Sequence, residues 1–312
     1  MHCVSDTLST LKIPVIIAEY FAEQKSPSHA AARTRDPSKL SSMRKTSPSP
    51  SGSPLAAKVL IAIVLVRITY RFVTRPRVFI SSDKNTPLVQ VERGFLEEQD
   101  WAEVQSCFVK HPQLLEMDNS ASLDSGSFAG TRGFVVKFNK DGLDRFLTHD
   151  VYGCFRNVFQ RLRHPDSNAW VFNALLCPEQ TEADVRENTL AVGLHVDQTI
   201  AIDSHHDFFA HSVEVLYLQV APDMIGGQLE LWPYGAIKGF GSVAKKGDPE
   251  EVVVPTVNTH VSFRGDALHQ VKSFYTASGT GIPRISLVLE QYRVDKAWAG
   301  KTEAWVEEIK TA

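Results

Sequence analysis

SVEVLYLQV, residues 212–220, is the stretch that decides the predicted fold class, because it is a short run of β-branched, aromatic and other apolar residues of the kind that forms strands. Comparable runs recur through the second half of the chain, with Gly, Pro and Asp clusters between them and no helical period. They occupy residues 169–177, 228–232, 251–254, 258–263 and 285–294. This series of short strands predicts a sandwich or barrel of the jelly-roll type.

Two helical patterns precede the strands. The first covers residues 97–110 and ends before a proline. The second covers residues 143–162, where apolar side chains recur every three or four positions behind Asp141, a suitable N-cap. We therefore predict an α+β fold that is mainly β, with helical support at 95–163 and a β core at 169–295.

The first 76 residues differ in composition from the rest of the chain. Residues 26–54 contain nine Ser, five Pro and five Lys or Arg against a single acid, which is typical of a disordered leader. The apolar segment 55–73 is short and carries basic residues, so it is expected to be an organelle-targeting region or a weak membrane anchor. We expect a leader, 1–76, that sets the location of a folded domain, 77–312, which would otherwise be cytoplasmic.

Composition narrows the function classes. The chain has 312 residues, of which 43% are hydrophobic and 22% are charged, as in ordinary soluble globular proteins. A formal net charge of −3 leaves no global basic field, which argues against nucleic-acid partners. The cysteines Cys3, Cys107, Cys154 and Cys177 form no CxxC pair, so no disulfide framework is expected and a reducing compartment is weakly favoured. Nothing in the sequence indicates an oligomeric state.

His195 and Asp197 form a His-x-Asp pair. Residues i and i+2 of an extended strand point to the same face, so an imidazole and a carboxylate can reach one metal ion there. A third ligand has to come from a distant strand, and His269 is the other histidine whose surroundings stand out. Two imidazoles and one carboxylate leave open positions on an octahedral ion, an arrangement used with non-haem Fe(II). The pair alone is a common coincidence, so the rest of the motif has to support it.

Arg284 and Ser286 share one face of a strand, PRISLVL at residues 283–289, that is otherwise built to be buried. A buried guanidinium is costly unless an anion meets it. One reading pairs Arg284 with an internal carboxylate such as Glu230 or Glu290. In the other reading, the Arg284 guanidinium binds one carboxylate of a dicarboxylate ligand through two charge-assisted hydrogen bonds, and Ser286 donates to the same carboxylate.

The order of these motifs resembles that of the Fe(II)- and 2-oxoglutarate-dependent dioxygenases, nearest to their prolyl-4-hydroxylase-like branch. The resemblance spans roughly residues 90–295 and rests on His195-x-Asp197, GGQLEL at residues 226–231, His269 and Arg284-x-Ser286. It implies a double-stranded β-helix core of cupin-like type. It also implies that His195, Asp197 and His269 bind Fe(II) and form the catalytic centre, with 2-oxoglutarate and O2 as co-substrates; it admits ascorbate as a further reductant.

The resemblance assigns the co-substrate pocket as well. It implies that Arg284 and Ser286 hold the distal carboxylate of 2-oxoglutarate, and that Tyr217 offers its hydroxyl to the same molecule. A core tyrosine with a satisfied hydroxyl is an equal alternative for Tyr217. The chain departs from the family where relatives often carry a tyrosine near the co-substrate, because Asn173 and Cys177 stand there. Both have the strand parity to face inward, and their roles stay open.

The predicted activity is an iron- and 2-oxoglutarate-dependent hydroxylation of an unidentified substrate, with release of succinate. A peptide or protein side chain is favoured over a small molecule by the branch resemblance alone. The rivals are a cupin-like metalloenzyme that does not use 2-oxoglutarate and a catalytically silent barrel that acts as a binding module. Arg284 favours the oxygenase over the cupin-like metalloenzyme, and the intact ligands in the right order argue against the silent module. We expect His205, His206 and His211 to be surface or lid residues.

Overall fold

The computed structural model describes residues 77–79, 85–117, 127–128, 130–203, 206–233 and 247–308. Residues Arg77–Ala312 form one compact unit. The predicted leader, with its apolar segment 55–73, lies outside the described residues, so its targeting or anchoring role stays a prediction. No helix within the described ranges is long and apolar enough to cross a membrane.

The helices are short, apart from the first. They are α1 Glu98–Lys110, α2 Leu143–Thr148, α3 Arg156–Leu162, α4 Glu182–Arg186 and α5 Lys296–Ala299, with 3-10 turns at Pro112–Leu115 and Gly153–Phe155. Helix α1 confirms the helix predicted at 97–110 and buries Val104, Cys107 and Phe108. It ends before Pro112, which has no backbone N–H to continue an α-helix and instead begins a 3-10 turn.

The single helix predicted over residues 143–162 is wrong, because the chain breaks there into α2, the second 3-10 turn and α3. The break lies at His149, whose Nδ1 accepts the backbone N–H of Val151 at 3.2 Å. This local hydrogen bond replaces the next helical one, so α2 stops. Asp141 is not the N-cap: α2 begins after Gly142 and has no side-chain cap. The apolar period marked Val158 and Leu162 correctly as buried, but Leu143, Leu147, Val151 and Cys154 are only partly buried. The other buried side chains of the segment are Phe146, Tyr152, Phe155 and Phe159, so the period predicted neither the continuity of the helix nor most of its buried face.

Cys107 and Cys154 form a disulfide with their Cα atoms 5.8 Å apart. The expectation that the chain has no disulfide is therefore wrong, and the cysteine-based argument for a reducing compartment loses its support. The two residues are 47 positions apart and join α1 to the second 3-10 turn. Only the folding of the helical layer brings them together. Cys177 is a free, buried thiol.

The β core consists of two main antiparallel sheets. The strands are β1 Arg77–Phe79, β2 Val89–Arg93, β3 Arg132–Asn139, β4 Ala169–Cys177, β5 Leu190–His195, β6 Ala201–Asp203, β7 His206–Phe208, β8 Ser212–Gln219, β9 Met224–Gly226, β10 Leu229–Trp232, β11 Glu251–Val253, β12 Thr259–Arg264, β13 Leu268–Lys272, β14 Phe274–Thr276, β15 Arg284–Tyr292 and β16 Trp305–Glu308. The large sheet has the order β16-β3-β4-β15-β8-β12-β2, and the small sheet has the order β11-β10-β13-β5. Each predicted strand run is a strand, and the predicted jelly-roll class with flanking helices is confirmed.

Strand β4 is buried on both faces, which explains its continuous apolar run. On one face, Phe172 contacts Phe146 of the helical layer with ring centroids 5.2 Å apart. On the other face, Val171 and Cys177 belong to the core between the two sheets, and Asn173 lines a cavity in that core. The predicted inward parity of Asn173 and Cys177 is therefore confirmed.

Candidate metal centre

His195 and His269 are direct partners on neighbouring antiparallel strands of the small sheet. His195 is the last residue of β5 and His269 lies on β13, and the register pairs them across the two strands. Their ring centroids are 4.1 Å apart. Antiparallel pairing thus places two imidazoles from distant parts of the chain side by side.

Each imidazole is oriented by a carbonyl of its own strand region. His195 Nδ1 lies 2.7 Å from the Gly193 carbonyl oxygen, and His269 Nδ1 lies 3.1 Å from that of Ala267. A carbonyl only accepts, so each Nδ1 carries the proton and each Nε2 carries the lone pair. Metal-binding histidines are held in this way, with the second ring nitrogen bonded to a fixed acceptor.

Asp197 completes the group from a position beyond the end of a strand. Its Oδ1 is 3.5 Å from His195 Nε2 and its Oδ2 is 3.5 Å from His269 Nε2. The prediction that His195 and Asp197 share an extended strand is wrong in detail, because β5 ends at His195. The Asp197 carbonyl instead accepts the backbone N–H of Ala210 at 3.1 Å. The ligand atoms of the three side chains lie within 4.8 Å of one another, so the three side chains converge.

The electrostatics of the group suit a divalent cation. Burial opposes ionisation of Asp197, but His269 and His195 outweigh it and hold the pKa of this carboxyl below its ordinary value. Burial and the neighbouring His195 lower the pKa of His269 to about 4. For His195, burial lowers the pKa but the contacts with Asp197 raise it above the ordinary value. A carboxylate and a neutral imidazole are the forms that bind metal, so the shifts of Asp197 and His269 favour metal binding, whereas a cation has to displace the proton that Asp197 favours on His195.

The donor set of this centre fits Fe(II). Two imidazole nitrogens and one carboxylate oxygen on one side of an ion leave the opposite positions open. Asp197 is 5% exposed, and its Oδ2 has no hydrogen-bond donor. A buried carboxylate oxygen without a donor is costly, and a bound cation removes that cost.

Arg284 is 2% exposed and has no carboxylate partner among the described residues. Its Nη1 donates to the Gly227 carbonyl at 3.0 Å and its Nη2 to the Cys177 sulfur at 3.3 Å, while its Nε has no acceptor. The two acids that the sequence offered as partners are bound elsewhere. Glu230 accepts from Gln270 and pairs with Lys272, and Glu290 is bonded to Thr199 and Tyr292.

The Gly226–Gly227 turn brings the carbonyl acceptor to Arg284. Both glycines have positive φ, 93° and 76°, and a Cβ at Gly226 would clash with the Ser273 carbonyl oxygen. The turn therefore has a structural role, and its Gly227 carbonyl accepts from Arg284 at the candidate anion site.

All six predicted site residues line one cavity between the two sheets. They are His195, Asp197, His269, Arg284, Ser286 and Tyr217. The walls are apolar and come from both sheets, with Val192, Leu229 and Phe263 among them. Tyr217 is buried beside Arg284, whose guanidinium carbon lies 5.9 Å from the ring centroid, and burial raises the pKa of the tyrosine. The buried guanidinium of Arg284 and the three candidate metal ligands therefore line the same cavity.

Two further polar residues line the same cavity. Asn173 is buried, and its Oδ1 has no donor. Glu290 is 1% exposed and lies on the same face of β15 as Arg284 and Ser286. The sequence analysis named Glu290 only as a possible partner of Arg284 and did not place it in the site, although its strand parity with Arg284 was a usable signal.

The sequence analysis expected His205, His206 and His211 at the surface or in a lid, and the structure tests this for His211. His205 and the side chain of His206 lie outside the described residues. His211 is buried and is absent from the cavity lining, so its predicted surface or lid position is wrong. Its ring packs edge-on against that of His164 at 5.1 Å.

No protein-family model matches this chain, and no curated protein does. Among solved structures, the chain is similar to a prolyl-4-hydroxylase from Pseudomonas putida, at 15% identity and a TM-score of 0.36, over 67% of this chain and 95% of the other. It is similar to a prolyl hydroxylase from Trichoplax adhaerens in complex with a peptide fragment of hypoxia inducible factor, at 13% identity and a TM-score of 0.37, over 78% and 94%. It is also similar to an oxidoreductase of the 2OG-Fe(II) oxygenase family from Burkholderia pseudomallei, at 12% identity and a TM-score of 0.37, over 71% and 96%. These matches agree with the resemblance of the motifs, but at such identities and TM-scores they carry no argument about the reaction.

Proposed function

We propose that this protein is an iron(II)- and 2-oxoglutarate-dependent oxygenase that hydroxylates its substrate. The observation that carries the proposal is one cavity that joins a His-Asp-His group to a buried arginine without a carboxylate partner among the described residues. A metal group alone would suit many metalloenzymes, and a buried arginine alone would suit many anion-binding proteins. Together they match a co-substrate with a metal-chelating end and a carboxylate end.

The side chains have separate roles in this proposal. His195, Asp197 and His269 bind the iron, and the Gly193 and Ala267 carbonyls keep the two imidazoles in the ligating tautomer. Arg284 receives the distal carboxylate of 2-oxoglutarate, with Ser286 and Tyr217 as hydroxyl donors from the same cavity. The bound iron would supply the activation of O2 that couples decarboxylation of 2-oxoglutarate to substrate hydroxylation. The apolar walls limit the entry of water.

Two rivals predict different results. A cupin-like metalloenzyme without 2-oxoglutarate needs the metal ligands but has no use for a buried cation at Arg284. A silent binding module needs neither catalysis at a metal ion nor a co-substrate. The uncompensated guanidinium favours the oxygenase over the cupin-like metalloenzyme, because burying a charge without a partner is costly unless a ligand offsets that cost. The complete group of His195, Asp197 and His269 argues against the silent module.

Turnover of 2-oxoglutarate without any added substrate tests the proposal. Purified protein reconstituted anaerobically with Fe(II) is exposed to O2 and 2-oxoglutarate, with and without ascorbate, and succinate and CO2 are measured. We expect slow succinate formation that requires Fe(II) and is lost in Asp197→Ala and Arg284→Ala. Metal binding without any succinate, in wild-type protein that is folded, would exclude the oxygenase in favour of a rival.

The substrate class and the location of the protein are further parts of the proposal. We favour a peptide or protein side chain as the substrate, on the motif resemblance alone. Mass spectrometry of a peptide panel, searching for a gain of one oxygen atom, tests this against small metabolites. We also propose that residues 1–76 direct the protein to an organelle or a membrane.

A further inference from the structure

We propose that Glu290 and Tyr292 form a clamp that positions the metal ligand Asp197 by fixing Thr199. The proposal rests on the metal centre of the proposed function. It concerns side chains of β15 that touch none of the three ligand side chains in the contacts described, and it assigns each of them a positioning role.

The clamp is needed because Asp197 does not lie on a strand. Strand β5 ends at His195 and β6 begins at Ala201, so the ligand sits within an irregular five-residue connection. The Ala210 N–H holds the Asp197 carbonyl, on one side of the residue. A carboxylate on an irregular segment needs a second fixed point to keep a constant direction.

Thr199 provides that second fixed point through two hydrogen bonds to β15. Its backbone N–H donates to the Tyr292 hydroxyl at 3.0 Å, and its Oγ1 donates to Glu290 Oε1 at 2.7 Å. The Tyr292 hydroxyl in turn donates to Glu290 Oε2. The Glu290 carboxyl and the Tyr292 hydroxyl are thus bonded to each other and to Thr199, which lies two positions after Asp197.

The position of Glu290 argues for a role beyond packing. The residue is 1% exposed, and the described residues give its carboxyl no salt bridge to a cation. Both of its carboxyl oxygens are used in hydrogen bonds, one to Thr199 and one to Tyr292. Glu290 also lines the cavity that holds the metal ligands.

Direct ligation by Glu290 is a weaker reading. The group of ligand atoms that lie within 4.8 Å of one another contains His195, Asp197 and His269 and does not extend to Glu290. Its two carboxyl oxygens are already bonded to Thr199 and Tyr292. The geometry therefore assigns it to the support of a ligand.

The test measures metal affinity instead of activity. Dissociation constants for Mn(II) and Co(II) are determined by calorimetry on the metal-free full chain, beside its thermal unfolding. Thr199→Val breaks one hydrogen bond of the clamp, and Tyr292→Phe and Glu290→Leu break two each. We expect each variant to weaken binding about 10- to 100-fold, the range seen when groups that orient a ligand are removed. Thr199→Ser and Glu290→Gln keep an oxygen in place and should stay within about threefold of wild type.

Matched controls separate positioning from general loss of stability. Glu214→Gln removes a buried carboxylate that bonds His260 and Gln291 outside the cavity, and Tyr152→Phe removes a buried hydroxyl in the helical layer. Both should leave the metal dissociation constants unchanged, even where they lower the melting temperature. The double variant Thr199→Val/Glu290→Leu should lose no more affinity than Glu290→Leu alone, because both changes break the same link.

The outcomes are distinct. If wild-type protein binds metal and Thr199→Val, the mildest change, binds it equally well, the clamp is refuted while the proposed function stands. If affinity falls equally in the matched controls, the effect is a general one and the clamp is again refuted. If wild-type protein binds no metal, the proposed function itself fails.

Discussion

Arg284 and Cys177 are register partners on the neighbouring strands β15 and β4, and Arg284 Nη2 donates to the Cys177 sulfur at 3.3 Å. A sulfur atom is a weak acceptor and does not neutralise a guanidinium. The Gly227 carbonyl adds an uncharged acceptor. The cavity therefore contains a positive charge that is held in place but not compensated, and this relationship underlies the first prediction.

Arg284→Ala should weaken 2-oxoglutarate binding by one to two orders of magnitude, because charge-assisted hydrogen bonds contribute about 1.5–3 kcal/mol each. Arg284→Lys should recover only part of the affinity, since an ammonium keeps the charge but cannot make the two parallel hydrogen bonds of a guanidinium. Calorimetry with 2-oxoglutarate on Mn(II)-loaded protein measures both. Metal affinity and melting temperature should change little, because no internal carboxylate among the described residues loses its partner. An unchanged 2-oxoglutarate affinity in folded, metal-loaded Arg284→Ala would remove the co-substrate from the proposal.

Loss of one metal ligand should weaken binding of a divalent ion about 100-fold or more, which corresponds to about 2.7 kcal/mol. Asp197→Ala is the most informative change, because this carboxylate is the only anionic ligand in the described group. Equilibrium dialysis with Fe(II) under anaerobic conditions, or with Mn(II), measures the effect. Asp184→Ala, at an exposed cap of α4, is the matched control and should bind as wild type does. Equal affinities of the two variants would show that the group is not the metal site.

The stability of the protein should fall on acidification through His211. Burial, Arg293 and His164 lower the pKa of His211 to about 4, whereas a histidine in an unfolded chain titrates near 6.5. Between these values the unfolded state binds a proton that the folded state does not, so the contribution is present above about pH 6.5 and is lost as the pH falls toward 4. The difference in unfolding free energy between wild type and His211→Gln should shrink by about 1–3 kcal/mol from pH 7.5 to pH 4. A constant difference across denaturant titrations at these pH values would contradict it.

Reduction should destabilise the oxidised protein through the Cys107–Cys154 disulfide. The chain-entropy model for a crosslink of 47 residues gives about 4 kcal/mol. Urea unfolding with and without a reductant measures the difference, and Cys107→Ala/Cys154→Ala should make unfolding insensitive to the reductant. Alkylation of both thiols in the native protein without any reductant would show that the bond does not form.

A protein that begins at residue 77 should fold and bind metal as the full chain does, because Arg77–Ala312 is one compact unit that contains all three ligands. Its location in cells should change, since the leader composition predicts a targeting or anchoring role. Calorimetry on the truncated protein and imaging of tagged full-length and truncated forms measure the two effects. Loss of cooperative unfolding after truncation would place the leader in the core.

Periodicity along the chain predicted most of the fold and several site residues. The alternation of a strand is fixed by backbone geometry, so the cavity-facing parity of Arg284, Ser286 and Asn173 follows from position alone. The runs that became β4, β8 and β15 were strands because long β-branched and aromatic runs suit a buried sheet. The same reasoning failed for residues 143–162, where His149 Nδ1 accepts the backbone N–H groups of Val151 and Tyr152 and interrupts an otherwise helical period.

By itself, the sequence determined which chemical groups the site contains: two histidines, one aspartate, and an arginine on a buried strand. Only the tertiary structure decided that Asp197 reaches His195 and His269 from beyond the end of β5, where Ala210 and Thr199 hold the backbone on either side of it. It also decided that Glu230 and Glu290 do not neutralise Arg284. The physical reason is that these outcomes depend on hydrogen bonds between segments far apart in the chain, and no local period encodes which distant donor or acceptor a buried group will meet.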